Sequence, residues 1–273
     1  MRKKAIEIRN KILEMGINPG GHITSSFSCV EILVALYYGG ILKFNLKNPE
    51  WQERDRFIMS KGHGATGLYA VLADLGFFPS SWIKNNYKQG DCRLGGHPDH
   101  KIPGVEITSG SLGHGLGIAA GNALAAKMDH KKNMQYVLMG DAECTEGSVW
   151  EAALFASKHK LSNLVAIIDR NHIGSLDFTK NFTKLEPFTD KWESFGWEVI
   201  NINGHNFDEL LSTFNYVKVR SSTQPILIGA ETIKGKDVSF MENDPIWHVK
   251  QLTDKDEIKQ ARKELQIIED EIK

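Results

Sequence analysis

The chain has 273 residues, of which 41% are apolar, enough for the core of one large α/β domain. Its 33 Lys and Arg residues nearly balance 34 Asp and Glu residues, which leaves a net charge of −1. This balance argues against a protein that binds nucleic acid or an acidic surface. The sequence contains no apolar run near the roughly 20 residues of a membrane-spanning helix, so we expect no membrane partner.

Three widely spaced cysteines, Cys29, Cys92 and Cys144, favour a reducing compartment over a disulfide framework. They form no Cys-x-x-Cys pair, which argues against a structural zinc site. The first residues, MRKKAIEIRNKILEMG, are typical of an amphipathic helix and not of a secretory signal peptide. We therefore expect a cytoplasmic protein.

The first predicted elements are helices. Apolar residues recur at near-helical spacing on both sides of a Gly-, Pro- and Ser-rich break at 16–28, which predicts an N-terminal helical segment over about 1–45. FIMS is then predicted as a short strand, and ATGLYAVLADLGF as a helix that ends near Gly76. An exposed loop is predicted at GDCRLGGHPDHKIPG, followed by a Gly-rich turn and an Ala-rich helix within GSLGHGLGIAAGNALAAKM.

The clearest alternation of strands and helices lies between residues 134 and 230. Strands are predicted at MQYVLM, NLVAIID, GWEVINI and PILIGAET, with helices at 148–160 and 206–219. This alternation predicts an α/β fold, a doubly wound parallel sheet flanked by helices. A charged helix at about 254–273 is expected on the surface, and residues 1–273 are expected to form a single domain.

Polar loops follow two of these strands, and one helix joins them into a βαβ unit. Asp141 follows the first strand, and Asn171 follows the second, 30 residues later. Ligands gather at the carboxyl ends of parallel strands. With the backbone carbonyl of Ile173, these side chains offer the hard oxygen ligands that Mg²⁺ prefers, and Ca²⁺ or Mn²⁺ could substitute. Gly140 and the small Ala142 are expected to let backbone N–H groups approach an anion.

The segment from Gly140 to Asn171 resembles the thiamine-diphosphate signature, which usually begins Gly-Asp-Gly and ends in Asn. Ala142 stands here for the third residue of that signature. A wider resemblance, to the transketolase family, runs from about Ile6 to His248. It implies that this chain has the diphosphate-binding domain of a thiamine-diphosphate-binding fold and carries thiamine diphosphate and Mg²⁺.

Further motifs carry the transketolase resemblance, and they imply two overlapping sets of site residues. The motifs are GHITS, SKGHG, GGHPD, SGSLGHG, ETIKG and IWHV. Val249 replaces the Gly that usually follows the last His, whereas His114 stands where the family tolerates Gln or His. The implied catalytic residues are His22, His63, His97, Glu146 and His248. The implied cofactor-binding residues are Ser25, His63, Gly110, Ser111, Leu112, Gly140, Asp141, Ala142, Glu146, Asn171, Lys234 and His248.

The resemblance implies transfer of a two-carbon ketol unit from a ketose, or a ketose phosphate, to an aldose. The cofactor performs the carbanion chemistry, while histidines bind hydroxyls and move protons near pH 7. Glu146 is expected near a dimer interface, where paired carboxylates can share a proton, and Lys234 near the diphosphate or the substrate. Four other histidines, His100, His130, His159 and His205, are interpreted as structural or exposed.

A complete transketolase is more than twice as long as this chain, and the sequence shows no second α/β repeat that could serve as the pyrimidine-binding domain. We therefore expect a separate C-terminal transketolase subunit in an α2β2 assembly, or else a truncated remnant. Two other classes stay open. One is another thiamine-diphosphate enzyme, such as a 2-oxoacid dehydrogenase alpha subunit or a deoxyxylulose-phosphate-synthase-like protein. The other is a non-catalytic cofactor-binding homologue.

Overall fold

A five-stranded parallel sheet forms the centre of the computed structural model, which describes residues 1–17, 20–88, 93–175 and 177–272. The strands are β1 (Arg56–Met59), β2 (Gln135–Gly140), β3 (Leu164–Arg170), β4 (Glu198–Asn203) and β5 (Ile226–Glu231). Their order across the sheet is β1-β2-β3-β5-β4, and every neighbouring pair is parallel. The predicted α/β fold is therefore confirmed, and each predicted strand is present.

Helices flank this sheet on both faces. Before β1 the chain forms α1 (Arg2–Ile17), α2 (Ile23–Phe27) and α3 (Val30–Tyr38). Between β1 and β2 it forms α4 (Ala65–Leu75), α5 (Ser81–Asn86) and α6 (Gly115–Met128). Later helices are α7 (Gly147–Lys158), α8 (Thr179–Phe182), α9 (Phe188–Ser194), α10 (Phe207–Val219) and α11 (Lys255–Glu271). Short 3₁₀ turns lie at Gly62–Gly64, Ala142–Thr145 and Pro245–His248.

Alternate side chains of each strand enter two separate cores, as the pleat of a strand requires. Tyr136 and Leu138 of β2 pack into the core beneath α1, α3 and α4, whereas Val137 and Met139 pack into the core beneath α6, α7 and α9. Every residue of β3 is buried, which explains its nearly continuous apolar sequence. With both faces covered, the carboxyl ends of the strands offer the natural place for a ligand.

The ends of several helices follow local sequence signals. Gly76 ends α4 in the left-handed conformation, with a φ of 89°, as predicted. Asn206 and Asp254 cap the N-termini of α10 and α11, and each side chain accepts hydrogen bonds from two backbone N–H groups of its helix. The predicted N-terminal segment is wrong beyond Tyr38, because Gly39 and Gly40 end α3 and no helix covers residues 39–45.

The predicted C-terminal surface helix, α11, is mostly exposed but buries Ala261 and Leu265 where it packs against α1. Among the described residues, no helix is both long enough and apolar enough to cross a membrane. Cys29 and Cys144 are free thiols inside the protein, and Cys92 lies outside the described residues.

Candidate cofactor and active site

A cavity of about 470 Å³ lies at the carboxyl ends of β2 and β3, where the sequence predicted a ligand site. The predicted residues on its wall are His22, His63, His97, Gly110, Leu112, Gly140, Asp141, Ala142, Glu146, Asn171, Ile173, Lys234 and His248. Ser25 is fully buried and Ser111 is exposed, and neither lines this cavity. The fold therefore brings most of the predicted residues together but leaves these two serines away from the wall.

Asp141 connects the loops that follow β2 and β3. Its Oδ1 accepts a hydrogen bond from the Ala142 N–H at 2.7 Å, and its Oδ2 accepts one from the His172 N–H at 2.6 Å. Burial, together with the negative charge of Asp169, raises the pKa of this carboxyl to about 6. A bound cation would relieve the cost of keeping such a buried carboxylate ionised.

Asn171 is fixed in orientation by its two hydrogen bonds. Its Nδ2 donates to Asp169 Oδ2 at 3.2 Å, and its Oδ1 accepts from the Ile173 N–H at 3.1 Å. A carboxylate only accepts hydrogen bonds, so the Asn171 atom that contacts Asp169 must be the amide nitrogen and not the amide oxygen. The Ile173 carbonyl in turn accepts from Lys234 Nζ at 3.3 Å. The three residues predicted as metal ligands thus line the same cavity. We call this set of residues the metal wall: Asp141, Asn171 and Ile173.

The chemistry of the metal wall fits a divalent cation bound to a diphosphate. Carboxylate, amide and carbonyl oxygens are the hard ligands that Mg²⁺ takes. Gly140 also lines the cavity, and a Cβ there would meet no atom within 4 Å, so the glycine leaves space that a phosphate can fill. Among the described residues, no group of three or more His, Cys, Asp or Glu side chains could hold a metal alone. A cation would therefore rely on mixed ligands.

The small residues Gly140 and Ala142 were expected to let backbone N–H groups approach an anion, but their own N–H groups have partners within the protein. Gly140 N–H donates to Glu143 Oε2 at 3.1 Å, and Ala142 N–H donates to Asp141 Oδ1 at 2.7 Å. The carboxylates of the loop accept these hydrogen bonds themselves, so Gly140 offers an anion space but no free N–H donor.

Three imidazoles meet in another part of the cavity, which we call the histidine corner: His22, His63 and His248. Their ring centroids are 5.8 Å apart for His22 and His63, 5.3 Å for His22 and His248, and 5.4 Å for His63 and His248. His22 Nδ1 donates to the His248 carbonyl at 2.7 Å. Lys234 Nζ donates to His248 Nδ1 at 2.6 Å. These partners place the proton of His22 on Nδ1 and that of neutral His248 on Nε2.

The surroundings of the histidine corner favour the neutral forms of His63 and His248. Burial lowers the pKa of His63 well below its ordinary value, and the charge of Lys61 acts in the same direction. Burial and the adjacent Lys234 lower the pKa of His248 to about 3. Lys234 is itself 1% exposed, and burial and Lys61 lower its pKa to about 7. Neutral imidazoles can both donate and accept, which suits the recognition of hydroxyl groups.

His97 and Glu146 lie at less enclosed positions of the same cavity. Burial lowers the pKa of His97, whose ring lies next to Gly110, at 3.4 Å from where a Cβ of that residue would be. Glu146 is exposed immediately before α7, and its side chain makes no capping hydrogen bond. His114 is exposed before α6 and does not line the cavity.

A buried ion pair beside the metal wall was missed by the sequence motifs. Lys61 and Asp169 are 1% and 0% exposed, and their side chains are in direct contact. Lys61 Nζ also donates to the Ser25 carbonyl at 2.8 Å, and Ser28 Oγ donates to Asp169 Oδ2 at 2.6 Å. Asp169 therefore anchors both the ammonium and the Asn171 amide. Its sequence signal was a single charge at the end of an apolar strand.

Glu143 was also missed, although it lies in the motif GDAECTEG. Its side chain accepts hydrogen bonds from Ser60 Oγ, from the Gly113 N–H at 2.9 Å and from the Gly140 N–H at 3.1 Å. Burial raises the pKa of this carboxyl. Because its donors belong to the loops after β1, before α6 and at the end of β2, Glu143 joins three segments of the cavity wall.

Comparison with known proteins agrees with these features. The family model described as "Transketolase, thiamine diphosphate binding domain" matches residues 11–271. One of the subunits of the apulose-4-phosphate transketolase of Actinobacillus succinogenes is 42% identical over 268 residues, covering 97% of this chain and 95% of that protein. The 6-deoxy-6-sulfo-D-fructose transketolase subunit SqwG of a Clostridium species is 41% identical over 255 residues, covering 93% of this chain and 90% of that protein.

A solved structure shares the fold along nearly the whole chain. The transketolase of Campylobacter jejuni superposes with a TM-score of 0.89 at 31% identity, covering 97% of this chain and 42% of that chain. The present chain therefore spans less than half the length of that protein.

Proposed function

We propose that this chain, which belongs to the transketolase family, is the subunit that binds thiamine diphosphate and Mg²⁺ in a two-chain transketolase. Its membership confirms the family resemblance of the sequence motifs. The assembled enzyme would transfer a two-carbon ketol unit from a ketose to an aldose. The observation that carries the proposal is one cavity that combines oxygen ligands for a cation with four imidazoles.

The metal wall would hold the cofactor end of this site. The oxygens of Asp141 and Asn171, with the Ile173 carbonyl, would bind the divalent cation, and the space beside Gly140 would admit the diphosphate. Lys234 adds a nearby buried ammonium that can balance phosphate charge. When bound, the cofactor supplies the nucleophilic carbon and the electron sink that cleavage of a C–C bond requires.

The histidine corner would handle the hydroxyl and carbonyl oxygens of the sugar. His248 carries its proton on Nε2 because Nδ1 accepts from Lys234, so it can donate a hydrogen bond to a substrate oxygen. His22 donates through Nδ1, so its Nε2 is an acceptor for a hydroxyl proton. His63 and His97 line the same cavity and extend this set of donors and acceptors. Neighbouring rings of opposite role suit proton movement between sugar oxygens.

We also propose that a separate C-terminal subunit supplies the pyrimidine-binding domain in an α2β2 assembly. Two relatives that this chain covers over 95% and 90% of their length are named as transketolase subunits, which supports a two-chain enzyme. The exposed position of Glu146 at the cavity suits a contact with another subunit. The names of these relatives specify a phosphorylated and a sulfonated sugar, so we propose a ketose with an anionic group as the donor.

Two further expectations accompany this function. Residues 1–273 are proposed to act as one diphosphate-binding domain, which the family match over residues 11–271 supports. A cytoplasmic location is proposed because Cys29 and Cys144 are both free thiols, as a reducing compartment would keep them.

Reconstitution with a C-terminal transketolase subunit tests the proposal. The purified chain is assayed with and without that subunit, in the presence of thiamine diphosphate, Mg²⁺, a phosphorylated ketose and an aldose. We expect ketol transfer when both chains are present, and full turnover by this chain alone would contradict the two-chain arrangement. Preference for pyruvate as donor would favour another thiamine-diphosphate enzyme. Absence of cofactor binding in calorimetry, even with the second chain, would favour a non-catalytic homologue.

A further inference from the structure

We infer that a buried cluster of Arg9, Glu31 and His205, which we call the Arg9 cluster, positions Lys234 in the active site. These side chains come from α1, from α3 and from the turn before α10, and none of them lines the cavity. They are therefore positioning residues and do not touch the substrate or the cofactor. The inference rests on the proposed function, because it assigns the cluster a role in that same site.

The Arg9 cluster is buried and joins α1 to α3 through paired hydrogen bonds. Arg9 is 0% exposed, and its guanidinium donates twice to Glu31, from Nη1 at 2.7 Å and from Nη2 at 2.8 Å. Nη2 also donates to the Phe27 carbonyl at 3.2 Å. His205 Nδ1 donates to Glu31 Oε2 at 2.9 Å. Paired donors of this kind fix both partners in orientation, so the cluster is a rigid support.

This support holds both ends of the turn that carries Lys234. At one end, His205 Nε2 accepts a hydrogen bond from the Ile233 N–H at 2.8 Å. At the other end, Arg9 Nη1 lies 3.0 Å from Asp237 Oδ2. Lys234 lies between these two anchors in the sequence. The position of its backbone is therefore tied to α1 and α3 through the cluster.

The turn has a conformation that needs such anchors. Gly235 and Asp237 both have left-handed backbone angles, with φ values of 76° and 72°, and a left-handed conformation is uncommon for a residue other than glycine. A Cβ at Gly235 would collide with the backbone of Met241, so the turn is also tightly packed. Strained backbone of this kind persists when the surrounding structure constrains it, and the Arg9 cluster supplies constraints on both sides.

The consequence for the site follows from the contacts of Lys234. Its Nζ lies 2.6 Å from His248 Nδ1 and 3.3 Å from the Ile173 carbonyl, so it connects the histidine corner with the metal wall. Functional side chains must be held within about 0.5 Å of their working positions. Release of either anchor would let the turn shift and would loosen both contacts at once.

Hydrogen exchange on the full chain without cofactor tests the support directly. His205→Leu removes both the acceptor for the Ile233 N–H and the donor to Glu31, whereas His205→Gln retains an amide that can do both. We expect exchange in the segment 232–241 to be at least about 10-fold faster in His205→Leu and near the wild-type rate in His205→Gln. Asp237→Asn, which weakens the second anchor, should act in the same direction and serves if His205→Leu does not fold.

A matched control separates this effect from general destabilisation. Arg54 and Glu106 form another paired arginine–carboxylate contact, with bonds of 2.8 Å and 2.7 Å, and neither residue contacts the Lys234 turn. Glu106→Gln should leave exchange in the segment 232–241 unchanged. Unchanged exchange in both His205→Leu and Asp237→Asn, or an equal increase in Glu106→Gln, would overturn the inference.

A double-mutant cycle in the two-chain enzyme tests whether the Arg9 cluster acts through Lys234. Alone, His205→Leu should lower kcat/KM for ketol transfer at least about 10-fold, but in a Lys234→Met background the further loss should be under about 2-fold. Losses that multiply in full would overturn the inference. A wild-type assembly without ketol transfer would contradict the proposed function instead, and the exchange measurement would then decide the positioning of Lys234 by itself.

Discussion

The metal wall and the histidine corner line one cavity, but they are assembled from sequence in different ways. The wall takes Asp141 and Asn171 from consecutive strand ends of a single βαβ unit. The corner joins His22 to the His248 carbonyl across 226 residues, and His63 comes from a third segment. A short motif is therefore enough to specify the wall, whereas the corner exists only once the whole domain has folded.

The two regions also differ in electrostatics. On the metal wall, burial raises the pKa of the Asp141 carboxyl to about 6, and a bound cation would stabilise its ionised form. In the histidine corner, burial and nearby positive charges lower the pKa of His248 to about 3 and that of Lys234 to about 7. Nearby lysines favour neutral His63 and His248, so this corner suits a polar or anionic ligand. Substitutions in the two regions should therefore impair different steps, cation and cofactor binding on the metal wall and catalysis in the histidine corner.

The largest effect is expected from Asp141→Ala. The change removes the only carboxylate among the predicted metal ligands, so ketol transfer should fall at least about 1,000-fold even at high Mg²⁺. The measurement is kcat/KM across an Mg²⁺ titration of the two-chain enzyme. The control is Asp129→Ala, which changes an exposed aspartate at the end of α6. Activity within about 10-fold of wild type would show that the metal wall does not hold the cation.

His248→Ala should have the next largest effect, and of a different kind. Loss of a hydrogen-bonding imidazole should lower kcat/KM about 100- to 10,000-fold, while the Kd for thiamine diphosphate stays within about 3-fold. Kinetics and calorimetry on the same preparation separate the two quantities. His159→Ala, at an exposed histidine after α7, is the control. If the affinity for thiamine diphosphate fell in parallel with kcat/KM, the two regions would not have the separate roles proposed here.

Glu143→Gln should give an intermediate effect, because this side chain joins the loops around the cavity. The glutamine oxygen cannot serve all three donors that the carboxylate now accepts from Ser60, Gly113 and Gly140. We expect the free energy of unfolding to fall by about 1–3 kcal/mol and cofactor affinity by about 10-fold. Urea denaturation and calorimetry measure both changes.

The exposed Glu146 provides the comparison for that result. Glu146→Gln should alter the free energy of unfolding of this chain by less than about 0.5 kcal/mol, because the side chain makes no capping hydrogen bond. Equal destabilisation by the two substitutions would mean that Glu143 does not hold the loops together.

The last prediction concerns the acid stability of the support behind Lys234. Burial opposes the ionisation of Glu31, but Arg9 and His205 outweigh it and lower the pKa from 4.5 to about 2. A carboxylate whose pKa is lowered by folding stabilises the protein at pH values above its pKa in the unfolded state. This stabilisation is lost as the pH falls towards its pKa in the folded state. Between about pH 5 and pH 2, wild type should therefore lose about 3 kcal/mol relative to Glu31→Gln. A difference in unfolding free energy that stays constant with pH would contradict this.

The contrast between the two regions also explains what the sequence could predict. The strands and the Asp141–Asn171 pair were found because hydrophobic pattern and short spacing are local properties. The ion pair of Lys61 and Asp169 spans 108 residues, and the contact of Glu143 with Ser60 spans 83, so neither leaves a pattern in a short window. Likewise, the positions of histidine side chains relative to one another followed from the resemblance to a family and not from their spacing.

The differences between expectation and structure have equally local causes. Backbone N–H groups of the Gly140 loop were expected to face an anion, but carboxylates within the loop accept them first. Ser25 lies in the helix next to His22 yet is 1% exposed, and its backbone carbonyl contacts Lys61. A helix turns neighbouring residues to different sides, so the motif alone could not show which of them reaches the cavity.

Calorimetric titration of thiamine diphosphate into the two-chain protein tests the central claim most directly, namely that this chain holds the cofactor through a divalent cation on the metal wall. The titration is run with Mg²⁺ and with a chelator, for wild type and for Asn171→Ala. We predict saturable binding by wild type with Mg²⁺, little binding with chelator, and an affinity at least about 10-fold weaker for Asn171→Ala. Equal binding under all of these conditions would contradict the claim.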